Sequence, residues 1–134
     1  MLHTLRQIVD DDEKWRMILR GLNAEFYHQT VNSKQIEMYI SEAMGIDLKT
    51  FFDQYLRDTR IPTFEFALVK GEMRYRWTNA VRGFSMPLRV FIDGEAVWLD
   101  PSSRWQTKKE IHPNTKVEVD PDFYVASFEL TVIN

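Results

Sequence analysis

The sequence predicts an α+β protein in which a bundle of about four helices precedes an antiparallel β-sandwich. Two observations carry this prediction. Apolar residues recur with the 3.6-residue period of an amphipathic helix as far as about residue 60. Beyond Pro62 the period changes to two, and turn residues separate short apolar stretches. We therefore expect a helical segment over residues 1–60 and a sandwich over residues 61–134.

Four helices follow from the apolar spacing and from the residues that begin and end each segment. The acidic run 10–13 offers carboxylates to the backbone N–H groups that open the second helix. Asn32 or Ser33 caps the third helix, which stops at Gly45, and Asp47 caps the fourth. The residues expected on the buried faces are, in order, Leu2, Leu5, Ile8 and Val9; Trp15, Ile18, Leu19, Leu22 and Phe26; Ile36, Tyr39, Ile40 and Ala43; and Leu48, Phe51, Phe52, Tyr55 and Leu56.

Six strands follow from the alternation of apolar and polar residues in the second half. Two hairpins are expected, one around Lys70-Gly71 and one around Asp93-Gly94, a dipeptide favoured in two-residue turns. Two further strands come later in the chain. Short strands separated by regular turns are typical of an antiparallel sandwich. The expected strands are 64–68, 73–77, 88–92, 96–99, 116–119 and 123–133.

Composition excludes several classes of function. The chain has 134 residues and no cysteine, which excludes disulfides, thiolate metal sites and cysteine nucleophiles. Its formal net charge is −3, so we expect no nucleic-acid partner, because such binding depends on neutralising phosphates with basic residues. No apolar run approaches the roughly 20 residues that a membrane-spanning helix needs, so we expect no membrane insertion.

The sequence offers no catalytic or metal-binding arrangement. His3, His28 and His112 are scattered and form no H-E-x-x-H motif, in which two ligands share one helix face. The acidic run 10–13 lacks the alternate spacing and central glycine of a calcium loop. The glycines stand singly, and the serines lie in no nucleophile-elbow context. We therefore assign no catalytic and no metal-binding residue to this chain.

One group of residues has the chemistry of a binding surface. Arginines alternate with aromatic residues in the second predicted strand, and Trp105 follows a loop that contains Pro101. An aromatic and arginine surface can stack on a ligand. Alternation alone also explains the pattern, with aromatic side chains in the core and arginines in solvent. The candidate ligand contacts are Trp77, Trp98, Trp105, Arg74 and Arg76.

Three segments of the helical half are similar to a known family. These are Met1-Leu2-His3-Thr4-Leu5-Arg6, the stretch 26–31 (Phe-Tyr-His-Gln-Thr-Val) and the stretch 45–56, which contains Asp-Leu-Lys-Thr-Phe-Phe-Asp-Gln-Tyr-Leu. They resemble the aminopeptidase N (membrane alanyl aminopeptidase) family of zinc metallopeptidases. In that family helices of this type end a thermolysin-like catalytic domain, and a β-sandwich domain follows. The resemblance covers residues 1–62, and the order of elements extends it.

The family's zinc-binding core is absent from this sequence. It contains no H-E-x-x-H motif, no Gly-x-Met-Glu-Asn loop and no match to the family's catalytic tyrosine. No catalytic or zinc-binding residue is therefore carried over, and the chain is expected to hold no cofactor. The resemblance implies that the chain is a C-terminal fragment of a zinc aminopeptidase, a hydrolase that removes N-terminal residues from peptides. Zinc is then implied for the parent protein.

Two functional hypotheses follow from these observations. In the first, the chain supports the upstream catalytic domain of the same polypeptide, and its uncovered helical face makes a homodimer when it is isolated. In the second, it is a free-standing β-sandwich module that binds a glycan or a peptide through exposed aromatic residues. The sequence leaves the compartment undefined; the cell envelope or periplasm is suggested for the parent by analogy with its relatives.

Overall fold

A computed structural model of the protein describes residues 1–27, 32–69, 71–109, 111 and 115–130. It confirms the expected α+β class, because four helices precede two β-sheets. The helices are α1 (Leu2–Val9), α2 (Asp12–Glu25), α3 (Ser33–Met44) and α4 (Lys49–Arg57). The strands are β1 (Thr63–Val69), β2 (Glu72–Thr78), β3 (Leu88–Ile92), β4 (Glu95–Leu99), β5 (Gln106–Lys108), β6 (Val117–Val119) and β7 (Ala126–Glu129).

The helix ends follow the chemistry of their capping residues. Asp11 accepts hydrogen bonds from two backbone N–H groups in the first turn of α2. Asn32 forms a capping box at the start of α3, and Gly45 ends this helix with a left-handed φ of 72°, which suits a residue without a Cβ atom. At α4 the cap position is Leu48, one residue later than predicted. Asp47 nevertheless accepts a hydrogen bond from a backbone N–H group of the first turn.

The strands form a four-stranded sheet in the order β5-β2-β1-β7 and a three-stranded sheet in the order β4-β3-β6. The two predicted hairpins pair as β1 with β2 and β3 with β4. Strand β5 was not predicted, because three residues give too short an alternation to recognise. Strand β7 is shorter than the predicted 123–133 and pairs parallel to β1, since it enters this sheet by crossing from the other one. Residues 131–133 of that prediction lie outside the described residues, as do Lys70 and the histidines at 28 and 112.

The hydrophobic core is one continuous cluster that joins the helices to both sheets. Three residues expected on buried helix faces, Leu2, Leu19 and Leu56, are instead exposed. The apolar stripes of α1, α2 and α4 are therefore wider than the faces that the rest of the chain covers. The large side chains that are fully buried include Leu5, Phe51, Phe64, Met73, Phe84, Met86 and Leu88. None of the described helices is long and apolar enough to cross a membrane.

Helix α4 is fixed to the sandwich by two polar side chains. The amide of Gln54, fully buried, donates to the carbonyl of Arg60 at 2.7 Å and accepts from the backbone N–H of Val81 at 2.7 Å. The hydroxyl of Tyr55 donates to the carbonyl of Tyr124 at 2.8 Å. Burial raises the pKa of the Tyr55 phenol far above its ordinary value, so the hydroxyl stays protonated and keeps donating.

Helix α1 is fixed to the sandwich by Arg89 of β3. Its guanidinium donates to the nearly buried carboxylate of Asp120 at 2.6 Å. It also donates to Gln7 at 2.8 Å and to Asp10 at 3.3 Å, both at the C-terminal half of α1 or just after it. The backbone N–H of Tyr124 bonds the hydroxyl of Thr4 at 3.1 Å from the same helix. These contacts hold the first helix against the sandwich.

Candidate functional site

The five predicted ligand contacts lie in three separate places. Trp77 is in the core, Trp98 lies on the three-stranded sheet, and Trp105 lies at the start of β5 beside Arg76. Arg74 is exposed on β2, two residues from Arg76 and on the same face of the sheet. The structure therefore brings Trp105, Arg74 and Arg76 together and separates the other two tryptophans from them.

Trp77 is unsuitable as a surface contact. The side chain is 2% exposed. Its ring lies 5.9 Å from the ring of Phe64 and 5.4 Å from that of Phe84. Its indole N–H donates to the carbonyl of Met86 at 3.4 Å. The expectation that Trp77 contacts a ligand is corrected here, because strand alternation turns this residue inward.

Trp98 is 40% exposed, but it belongs to the junction between α1 and the sandwich. The Arg89 guanidinium that anchors this junction lies 5.4 Å from the centre of its ring. Phe123 packs edge-on against the same ring at 5.9 Å. These contacts explain the position of Trp98 as packing around the Arg89 anchor.

Four side chains form a row across the outer face of the four-stranded sheet, which we call the outer-face row. It consists of Trp105, Arg76, Glu65 and Phe128. Glu65 pairs in register with Arg76 on one side and with Phe128 on the other. The Arg76 guanidinium lies 4.4 Å from the centre of the Trp105 ring, a cation–π contact. The two aromatic ends are exposed, Trp105 by 44% and Phe128 by 55%.

At the centre of the outer-face row, Arg76 and Glu65 form an ion pair, so their charges offset each other. Nε and one terminal nitrogen of Arg76 donate to the same oxygen of Glu65, at 3.1 and 2.9 Å. Within the described part of the chain, the other terminal nitrogen and the second carboxylate oxygen make no hydrogen bond. The pair therefore leaves N–H donors on Arg76, whose side chain is 35% exposed, and one acceptor oxygen on Glu65, whose side chain is 16% exposed.

Sequence reasoning missed two members of this row. Glu65 and Phe128 join it through the pairing of β1 with β2 and β7, and that register cannot be read from one sequence. Phe128 lies on this face because β7 pairs parallel to β1 with Phe128 opposite Glu65. The alternation of β2 did signal that Arg74 and Arg76 share a face opposite Trp77.

A concave feature elsewhere on the molecule is the groove between α3 and α4, with a volume of about 570 Å³. Met38 and Phe52 supply its apolar surface, and Met38 is 63% exposed. Arg57 donates to Glu37 at 2.7 Å and to Asp53 at 3.2 Å along its rim. This hydrogen bond from Arg57 holds the pKa of Glu37 below its usual value. The remaining residues that line the α3–α4 groove are Lys34, Ser41, Glu42, Asp47 and Lys49.

Acidic and imidazole side chains do not converge on a metal site in the described ranges. There, no group of three or more His, Cys, Asp or Glu residues is placed to hold an ion. His3 contacts only one carboxylate, that of Asp122, at 3.2 Å.

Comparison with known proteins gives a structural relationship and no sequence relationship. No family model matches the chain, and no curated protein matches it. The crystal structure of Legionella pneumophila aminopeptidase A in complex with aspartic acid resembles it with a TM-score of 0.71. The likeness covers 99% of this chain but 17% of that chain, at 11% identity. The shared feature is the fold, which is that of one segment of a much longer aminopeptidase.

Proposed function

We propose that this chain is a non-catalytic C-terminal portion of a zinc-dependent aminopeptidase and supports its catalytic domain. One observation carries the proposal: nearly the whole chain, helices and sandwich together, has the fold of one segment of an aminopeptidase. No family model matches the sequence, so the proposal rests on this likeness of fold. The substrate would be a peptide with a free N-terminus.

A supporting role fits how the helices are joined to the sandwich. Gln54 anchors α4, and Arg89 anchors α1, in each case through more than one hydrogen bond. A helical end of a catalytic domain held in this way would stay rigid relative to the sandwich. In the proposed parent, zinc would polarise the peptide carbonyl and activate water. The described residues hold no ligand set for it, so the ligands would belong to the upstream domain.

The upstream catalytic domain of the same polypeptide is the partner that we propose for the α3–α4 groove. The chain accounts for 17% of the aminopeptidase that it resembles, so most of such a protein would lie outside it. Met38 leaves an exposed apolar side chain on this groove that a neighbouring domain would cover, whereas Phe52 is already buried. The charged residues along the rim of the groove would face solvent or form ion pairs with the neighbouring domain at the edge of that contact.

Isolated from that domain, the chain is expected to self-associate through the same patch. Sizing chromatography with light scattering should report a dimer, and Met38→Glu should shift it to a monomer, because a carboxylate would be buried in the contact. Phe128→Ser is the matched control, since it removes an exposed apolar side chain from the sandwich. A wild-type monomer at high concentration, or equal effects of the two changes, would contradict this expectation.

Affinity purification from the source cells tests the proposed function itself. An antibody against this chain should recover an aminopeptidase activity on alanyl and related amide substrates. The activity should disappear with a zinc chelator and return with added zinc. Recovery of the polypeptide without any such activity would contradict the proposal.

A further inference from the structure

We propose that the outer-face row binds a neutral oligosaccharide. This inference is independent of the proposed role in an aminopeptidase, since it rests on the outer face of the sheet alone. Its members are Trp105, Arg76, Glu65 and Phe128, as described above. None of them contributes to the buried core cluster.

The row has the shape of a platform for a chain molecule. Three of its side chains come from β2, β1 and β7, and Trp105 directly precedes β5. Neighbouring strands lie about 4.8 Å apart, so the aromatic ends are separated by roughly 14 Å. Small ligands are held in concave pockets that bury most of their surface. A flat row of this length instead suits a ligand that lies across several strands and contacts each of them once.

The chemistry of the row matches that of a sugar chain. The Arg76 guanidinium covers one face of the Trp105 ring. The exposed remainder of this residue, 44%, and the exposed Phe128 offer apolar surface against which the C–H groups of a pyranose can pack. Sugar hydroxyls both donate and accept hydrogen bonds. Between the rings, Arg76 has N–H groups to donate and Glu65 has an oxygen to accept. The ion pair fixes both groups, which limits the entropy lost on binding.

The charge of the row favours a neutral ligand over a nucleic acid. Arg76 and Glu65 compensate each other, so the centre of the row attracts neither a phosphate nor a cation strongly. Single-stranded nucleic acids need a positively charged groove beside the stacking rings. The chain as a whole has a net charge of −3, which opposes such binding.

Isothermal titration with soluble hexasaccharides tests the proposal on the full 134-residue chain. Cellohexaose, chitohexaose, maltohexaose and xylohexaose are the probes. We expect at least one to bind with a Kd of about 1 mM or lower. Trp105→Ala should weaken that binding at least about tenfold, and so should Arg76→Met, which removes the donors of the pair. Trp98→Ala is the matched control, because it removes a similarly exposed tryptophan from the other sheet.

Circular dichroism of the variants, and titration of the wild type with oligothymidylate and with an extended peptide, complete the test. Circular dichroism must show that Trp105→Ala and Arg76→Met fold as the wild type does; if either unfolds, Trp105→Phe and Arg76→Lys replace them, with a smaller loss expected. Binding of none of the four hexasaccharides overturns the proposal. So does an equal loss in Trp98→Ala, and so does binding of oligothymidylate or of an extended peptide in place of the sugars. Because peptidase activity is not measured here, failure leaves the proposed function unaffected.

Discussion

Replacing Gln54 with leucine is expected to lower the unfolding free energy by about 2–4 kcal/mol. Leucine has a similar volume but no amide, so the carbonyl of Arg60 and the N–H of Val81 would lose their buried partner. A fully buried polar group left unpaired costs about 1–3 kcal/mol, and these two bonds are part-buried, so the upper end of that range does not apply to both groups. Urea unfolding followed by tryptophan fluorescence measures the change. Because the two bonds join α4 to the sandwich, the whole chain should unfold more easily in one transition.

The substitution Gln54→Glu distinguishes the contribution of the two hydrogen bonds to stability from that of side-chain packing. A protonated carboxyl can both donate to the Arg60 carbonyl and accept from Val81, whereas a carboxylate can only accept. Burial would raise the pKa of this carboxyl in the folded state above its value in the unfolded state. The unfolding free energy of Gln54→Glu, relative to that of the wild type, should therefore increase as the pH falls. A constant difference between Gln54→Glu and the wild type from about pH 7 to about pH 4 would contradict this account. The exposed Gln35→Leu is the control and should cost about 1 kcal/mol or less.

Replacing Arg89 with methionine is expected to cost about 3–5 kcal/mol near neutral pH. Its strongest partner, Asp120, is nearly buried, and removal of the guanidinium would leave that carboxylate without a compensating charge. The contact with Asp10 should add little, because that side chain is mostly exposed. The loss should be visible as a lower urea midpoint and as greater hydrogen exchange in α1, which Arg89 anchors.

A double-mutant cycle measures the interaction free energy between Arg89 and Asp120. Asp120→Asn removes the charge and can keep the hydrogen bond that Asp120 accepts from the backbone N–H of Asp122. Arg89→Met combined with Asp120→Asn should therefore be more stable than Arg89→Met alone, by about 1–3 kcal/mol. Additive losses would show that Arg89 acts through Gln7 and packing rather than through Asp120.

The elements of this fold could be predicted from local patterns, and their long-range arrangement could not. Asp11, Asn32 and Gly45 act over a few residues, so the helix ends were close to those predicted. The Asp93-Gly94 turn fixed one hairpin for the same reason. The parallel pairing of β7 with β1 joins segments more than fifty residues apart, and no local rule determines it. Strand β5 was missed because it is too short to show a period.

Among the candidate binding residues too, local patterns predicted which face of a strand a residue occupies but not which residues lie beside it. Alternation placed Arg74 and Arg76 on one face and Trp77 on the other, which the structure bears out. It could not show that Glu65 and Phe128 would lie beside Arg76, since that depends on how three strands are paired. The two anchors, Gln54 and Arg89, were also missed, because their partners are loop backbone and a distant carboxylate.

The mass of the native polypeptide tests the central claim most directly. An immunoblot of the source cells with an antibody against this chain measures it. We expect a band several times heavier than the 16.0 kDa of the chain, because the catalytic domain would lie on the same polypeptide. A band at 16.0 kDa would contradict the account. The chain would then act by itself, and the outer-face row would be the first surface to test for its function.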